Sequence, residues 1–227
     1  MLNKKIIHDI TPFTLLDFPN KTGCILWFAG CNMRCVYCYN PDIVLGKGKK
    51  TIKEALDFIN TRKGLLDGIV LSGGECTLYK ELPEIAREIK QLGFLVKLDT
   101  NGSNPECVHS LINEHLVDYV SLDFKAMPDK YKSITQSDFF VEFEKTFLLL
   151  KQSSIPFEVR TTVHSDLLSY QDIQAMISYL EKHQYSGKFY LQNYLNNTET
   201  IGNIKNTHQK ISISQFSPKN FEVVVRN

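Results

Sequence analysis

The chain has 227 residues, 43% of them hydrophobic and 22% charged, which is enough for one sizeable core without a disulfide scaffold. Lysine plus arginine number 26 against 25 aspartate plus glutamate, and the resulting net charge of +1 gives no electrostatic reason for a nucleic-acid or membrane partner. The longest apolar run, Cys24 to Ala29, is far below the ~20 residues that span a bilayer. The opening MLNKKIIHDITPF has no apolar signal core, so the expected setting is the cytoplasm, where six cysteines read as ligands or buried small hydrophobes.

In chain order, Cys24 to Phe28 is a short apolar strand, followed by a Gly/Lys-rich loop from Gly46 to Lys50. Thr51 with Glu54 makes a capping box, and Ile52, Ala55, Leu56 and Ile59 fall on one helical face. Gly68 to Leu71 reads as a buried strand, and Leu82, Ile85, Ala86 and Ile89 give the next helix, which Gly93 stops. The alternation continues with strand Phe94 to Leu98, helix Val108 to Leu116, strand Tyr119 to Leu122, helix Phe139 to Lys151 and strand Phe157 to Val163. Ser169 with Asp172 caps a helix carrying Ile173, Met176, Ile177 and Leu180, and Lys188 to Leu191 is a sixth strand. Asn196 to Lys210 is polar and reads as a loop, and Phe221 to Arg226 as a last strand.

Six strands separated by helices specify a parallel sheet with the helices outside, within a single domain whose core runs from about 16 to 193, with a tail from 194 to 227. Periodicity does not separate a partly closed barrel from a flat doubly wound sheet. Polar residues leave nearly every strand: Ser72-Gly73-Gly74-Glu75, Asp99-Thr100-Asn101-Gly102, Asp123-Phe124-Lys125, Arg160-Thr161-Thr162 and Gln192-Asn193. Singly each suits an ordinary loop, but five in succession on one rim favour a site, because α/β barrels place their chemistry at the carboxyl ends of strands.

Cys31, Cys35 and Cys38 stand on one loop, with spacings of x3 and x2 and no fourth cysteine nearby. A zinc site normally pairs two short hairpin spacings, and neither Cys24, inside an apolar strand, nor the isolated Cys76 and Cys107 supplies the second half. Three thiolates instead suit three corners of a [4Fe-4S] cubane, leaving one iron open.

Cys31-x3-Cys35-x-Tyr37-Cys38 resembles the signature of the radical S-adenosylmethionine superfamily, and Ser72-Gly73-Gly74-Glu75 resembles its methionine-binding turn. Asp17-Phe18-Pro19, Tyr39-Asn40-Pro41, Asp99-Thr100-Asn101-Gly102, Asp123-Phe124-Lys125 and Arg160-Thr161-Thr162 resemble its glycyl-radical-enzyme activase branch, and most closely the anaerobic ribonucleoside-triphosphate reductase activating proteins. The resemblance implies an open (β/α)6 partial barrel and an oxidoreductase with a [4Fe-4S] cluster and S-adenosylmethionine as cofactors. The open iron would chelate the amino and carboxylate groups of S-adenosylmethionine, whose reductive cleavage gives a 5′-deoxyadenosyl radical. That radical would take a hydrogen atom from a glycine of an anaerobic ribonucleotide reductase, with a flavodoxin or ferredoxin type protein as electron donor.

The same resemblance assigns Glu75 or its neighbours to the methionine ammonium, and Asp123 and Lys125 to the ribose end. Arg160 faces the carboxylate, Asp99 and Thr100 form a polar shell beneath it, and Tyr37 packs against cluster and adenine. Gly74→Val is then expected to impair S-adenosylmethionine binding while leaving the cluster largely intact, because a branched Cβ would occupy the ligand's space. Two residues depart from the activase pattern: Tyr39 stands where many activases carry His, and Cys76 where Pro is usual. They leave open a small-molecule radical enzyme such as 7-carboxy-7-deazaguanine synthase. An iron-sulfur electron-transfer protein that never cleaves S-adenosylmethionine is a third class. No cysteine follows Cys107, which argues against a second cluster.

Overall fold

Among the described residues, only the first strand runs against its neighbours on both sides. In the computed structural model, which describes residues 2–207 and 216–226, β1 (Lys5–Thr14) pairs antiparallel with β2 (Gly23–Phe28), placing Ile10 opposite Leu26 and Thr11 opposite Ile25. A short helix α1 (Pro41–Leu45) then leads to the two-residue β3 (Lys50–Thr51), which pairs with the outer side of β1. Sequence reading assigned no strand to β1. Its run KIIHDITPFT lacks strict alternation and contains Pro12, so pairing with β2 rather than local preference makes it a strand.

From β2 onward the expected alternation appears: α2 (Ile52–Asn60), β4 (Gly68–Gly73), α3 (Leu82–Gln91), β5 (Leu95–Thr100), α4 (Pro105–Asn113) and β6 (Tyr119–Asp123). After β6 come α5 (Pro128–Thr135), not seen in the sequence, then α6 (Phe140–Gln152), β7 (Phe157–Val163), α7 (Tyr170–Lys182), β8 (Lys188–Asn193) and β9 (Glu222–Arg226). Both capping boxes form, at Thr51 and Ser169. Helix α4 starts earlier than expected, because the Asn104 side chain accepts from Cys107 N–H and Pro105 takes the first turn. The loop read from Asn196 to Lys210 is irregular through Thr207, and its last three residues lie outside the described ones.

Among the described residues, the strands form one sheet in the order β3-β1-β2-β4-β5-β6-β7-β8-β9, parallel from β2 to β9. β3 and β9 are its two ends, so the curved sheet does not close. This is the open α/β architecture expected, and the last strand read at Phe221 to Arg226 appears as β9, the seventh parallel strand beside the six separated by helices.

Alternation along each strand divides the residues between two faces. On β4, Ile69 and Leu71 enter the main core beneath the helices, whereas Val70 joins Phe18 and Ile25 in a small apolar cluster on the other face. The main core also takes Leu26, Val96, Leu98, Val120 and Leu122, all fully buried, each contributing about 1.5–3 kcal/mol of transfer free energy. Phe143, Phe147 and Leu150 of α6 are buried there, with Phe143 stacked on Phe124 at 4.7 Å between ring centroids. That stripe is helix core and not a substrate cleft. The opposite face turns polar toward the carboxyl ends of the strands, with Ser72, Lys97, Asp99, Asp123 and Arg160 in sequence across β4 to β7.

Candidate active site

The cysteine loop follows β2 and is held by backbone bonds on several sides. Ala29 N–H donates to Ile6 O at 2.9 Å and Gly30 N–H to Ile43 O at 2.8 Å. The last turn of α5 accepts Arg34 N–H at Thr135 O and Val36 N–H at Ile134 O, both at 2.9 Å. Arg34 Nη1 also binds Cys31 O and Met33 O at 2.7 Å each, drawing the first half of the loop into a tight curve. Met33 N–H lies 3.4 Å from Cys31 Sγ, and Asn101 Nδ2 lies 3.9 Å from it. Sulfur is therefore offered donors before any metal arrives, a common way of tuning metal-bound thiolates.

Cys31, Cys35 and Cys38 all line a cavity of about 250 Å³ at the carboxyl ends of the strands. Cys24, Cys76 and Cys107 do not. Cys24 and Cys76 are fully buried, and the Cys76 thiol approaches Leu71 O at 3.6 Å and Asp99 O at 3.5 Å, as an inert core thiol does. Burial pushes the Cys31 thiol up to about 12, with Glu75 adding to the rise, and burial also raises Cys35. Ligation would have to displace their protons. Among the described residues no three His, Cys, Asp or Glu side chains gather tightly enough for one metal ion.

The cavity that holds the thiols also carries a chain of alternating charge, with Lys97 buried behind it. Lys97 Nζ donates to Asp99 Oδ1, and Arg160 Nη2 lies 3.3 Å from Asp99 Oδ2. Arg160 Nε donates to Asp123 Oδ1 at 2.5 Å, and Lys125 Nζ to Asp123 Oδ2 at 3.0 Å. Ser72 Oγ adds a bond to Asp99 Oδ2 at 3.1 Å. Three cations face two anions, an excess of one positive charge. Burial favours protonated Asp123, but Arg160 and then Lys125 more than reverse that and hold it at about 2; Asp99 is likewise lowered, by Arg160 and Lys97 acting against burial. Lys125 Nζ also sits 5.9 Å from the centroid of Tyr37, whose buried hydroxyl has no partner.

Eleven of the thirteen residues expected at the site line the cavity: the three cysteines, Tyr37, Ser72, Gly73, Gly74, Asp99, Asp123, Lys125 and Arg160. Glu75 and Thr100 do not. The buried Glu75 carboxylate accepts from Thr77 N–H, Thr77 Oγ1, Thr100 Oγ1 and Asn101 N–H at 2.6–3.1 Å, and so ties the turn after β4 to the turn after β5. Of the turn expected to take the ammonium group through Glu75 or its neighbours, Glu75 is engaged as this brace, and Ser72, Gly73 and Gly74 are the part that faces the cavity.

Sequence reasoning missed Lys97, which is 1% exposed. Its signal was a lone charge inside the apolar run FLVKLD, since a lysine in a buried strand is rare unless paired. It also missed Trp27, Met33 and Val44 on the cavity wall, whereas Thr162 and Gln192, read as strand-end residues of the rim, do line it.

Two expected outcomes follow from this geometry. Gly74 packs directly on the cysteine loop: a Cβ there would fall on Gly30 O and come within 3.1 Å of Cys31 Cβ. Gly74→Val should therefore reduce iron uptake along with ligand affinity, contrary to the expectation that the cluster is spared; iron content after anaerobic reconstitution measures the difference. For acid stability, Asp123 is depressed from 3.8 to about 2, so its contribution is present above pH 4 and is lost as pH falls through 2. Denaturant unfolding should lose about 2 kcal/mol from this group across that window. Asp123→Asn should flatten the profile there, and an unchanged slope would reject the assignment.

The model of the radical SAM superfamily matches residues 25–180. The sequence is 36% identical over 178 residues to a putative glycyl-radical enzyme activating enzyme of Methanocaldococcus jannaschii, covering 75% of this chain and 73% of that protein. It is 34% identical over 137 residues to a pyruvate formate-lyase-activating enzyme of Clostridium pasteurianum, covering 57% of this chain and 56% of that one. Among solved structures, SuiB of Streptococcus suis bound to S-adenosylmethionine superposes with a TM-score of 0.65 at 13% identity, over 87% of this chain and 48% of SuiB. Here the chain spans about half the length of the solved protein, and at that identity the likeness is one of fold.

Proposed function

The chain belongs to the radical SAM superfamily, and from that membership we propose that it cleaves S-adenosylmethionine reductively to activate a glycyl-radical enzyme. The observation that carries the proposal is the meeting, in one cavity, of three thiols, a glycine turn packed on their loop and the charged groups Asp99, Asp123, Lys125 and Arg160. Cys31, Cys35 and Cys38 would hold a [4Fe-4S] cluster, with no fourth cysteine in the cavity to compete with the cofactor. When bound there, cluster and S-adenosylmethionine supply a 5′-deoxyadenosyl radical.

The chain's own residues bind, orient and shield. Ser72 presents its hydroxyl and Gly73 and Gly74 their backbone to the methionine end. Arg160 faces the carboxylate while remaining bonded to Asp99 and Asp123, which fix its guanidinium in place. Lys125 and Asp123 receive the ribose end, and Tyr37 packs beside them. Asp99, engaged by Lys97, Ser72 and Arg160, acts on the ligand through those partners.

The hydrogen taken belongs to a glycine Cα of a partner protein. The names of the relatives from M. jannaschii and C. pasteurianum support this, as does a sheet whose ends β3 and β9 do not meet, leaving a side open to an extended loop. An anaerobic ribonucleotide reductase is the partner favoured by sequence resemblance, with a flavodoxin or ferredoxin type protein delivering the electron. Anaerobic reconstitution followed by dithionite and S-adenosylmethionine tests the activity: methionine and 5′-deoxyadenosine should form in equal amounts. A loaded cluster that yields neither would assign the protein to electron transfer instead.

A further inference from the structure

Residues 196–207 lie beyond the segment 25–180 that the superfamily model matches, yet they sit directly on the cysteine loop. Ile201 N–H donates to Cys38 O at 3.0 Å and Gly202 N–H to Val36 O at 2.9 Å. Val36 is thereby bonded on both sides, through its N–H to the last turn of α5 and through its carbonyl to Gly202. Cys38 is bonded twice as well, its N–H to Cys35 O at 2.9 Å and its carbonyl to Ile201.

The approach is too close for a side chain. A Cβ at Gly202 would lie 2.7 Å from both Cβ and O of Val36 and 2.9 Å from its Cα, and the backbone atoms among these cannot rotate away. The loop has its own fastenings. Thr200, 3% exposed, accepts Asn203 N–H at its carbonyl and Ile204 N–H at its hydroxyl. Buried His164, just after β7, accepts Asp166 N–H at Nδ1 at 3.2 Å and must donate from Nε2 to Lys205 O at 2.7 Å.

We infer that residues 196–207 are a brace of the cluster site: they fix the Cys35–Cys38 turn with its thiols toward the cavity and cover the outer side of that turn against water. Gly202 and His164 are positioning residues in this arrangement, one at the contact and one at the remote fastening. The inference rests on the proposed three-cysteine cluster.

The test compares the reconstituted full chain with Gly202→Val, His164→Ala and His164→Gln. The readouts are iron release to a chelator under anaerobic conditions, the electron paramagnetic resonance spectrum of the reduced cluster, and thermal unfolding of the iron-free proteins. Gly202→Val and His164→Ala should release iron at least about tenfold faster than the parent, with an altered cluster spectrum, as loss of a ligand's support does elsewhere. His164→Gln, whose amide can donate to Lys205 O, should stay near the parent rate. Equal release from folded Gly202→Val or from His164→Ala would overturn the brace. If Gly202→Val fails to fold, His164→Ala decides, because its fastening lies away from the cysteines. A parent chain that takes up no iron would remove the proposed function and the brace together, whereas a loaded parent with equal rates removes the brace alone.

Discussion

Cys35→Ala is expected to fold, to take up far less iron than the parent on reconstitution, and to form 5′-deoxyadenosine at least ~10³-fold more slowly, the equivalent of about 4 kcal/mol or more in barrier. The side chain is small and the fold around it does not depend on the thiol. The loop is held by Arg34 and Val36 N–H bonds to α5, by Cys38 N–H to Cys35 O, and by the backbone contacts of Ile201 and Gly202, none of which uses Sγ. The cost to the iron-free protein should therefore be on the order of 1 kcal/mol. Cluster assembly is another matter, because two remaining thiols cannot replace the third corner, and Cys24, Cys76 and Cys107 line no part of the cavity. Replacing each of those three by Ala should leave iron content unchanged. Full iron loading in Cys35→Ala would mean that the ligand set is wrong.

Arg160→Met is expected to be the most destabilising change in the polar part of the site. It removes the cation shared by Asp99 and Asp123 and leaves Asp99 to Lys97 and Ser72 and the partly buried Asp123 to Lys125. Breaking a buried pair from one side typically costs about 3–5 kcal/mol when the charge is left without a partner; here each carboxylate keeps one lysine and Asp123 is 21% exposed, so the lower end, about 3 kcal/mol, is expected. S-adenosylmethionine affinity should fall with it, because the guanidinium is also the group proposed to face the ligand carboxylate. The two losses can be separated. Adding Asp123→Asn to Arg160→Met removes one stranded anion and should recover part of the unfolding free energy without restoring affinity, a non-additive result expected of residues sharing one network. Strict additivity of the two substitutions in denaturant unfolding would count against a coupled chain.

The parts of this site legible in the sequence are those whose signal is local. Spacing alone brings Cys31, Cys35 and Cys38 to one loop, and the strand-to-loop positions of Asp99, Asp123 and Arg160 put them on one rim, because parallel strands carry their carboxyl ends together. What was not legible depends on contacts across strands or between distant segments. Lys97 looked like an ordinary strand residue until Asp99 supplied its partner on the same face. Glu75 belongs to a turn that meets the cavity, yet its own carboxylate turns inward because Thr77, Thr100 and Asn101 present four donors there. β1 is a strand only because β2 and β3 flank it. The polar run after Asn196 has the composition of a solvated loop, and nothing in it shows that Gly202 lies against Val36, more than 160 positions earlier.

The central claim is that this protein generates a radical that removes a glycine hydrogen from a partner protein. The most direct test mixes the reduced, reconstituted protein and S-adenosylmethionine with anaerobic ribonucleotide reductase or pyruvate formate-lyase carrying α-deuterated glycine, under strict exclusion of oxygen. The account predicts deuterium in 5′-deoxyadenosine and a glycyl radical signal on one of the two partners. Unlabelled 5′-deoxyadenosine with no protein radical on either, together with turnover that rises only when a small pterin-like substrate is added, would contradict it and assign the chain to the small-molecule radical enzymes.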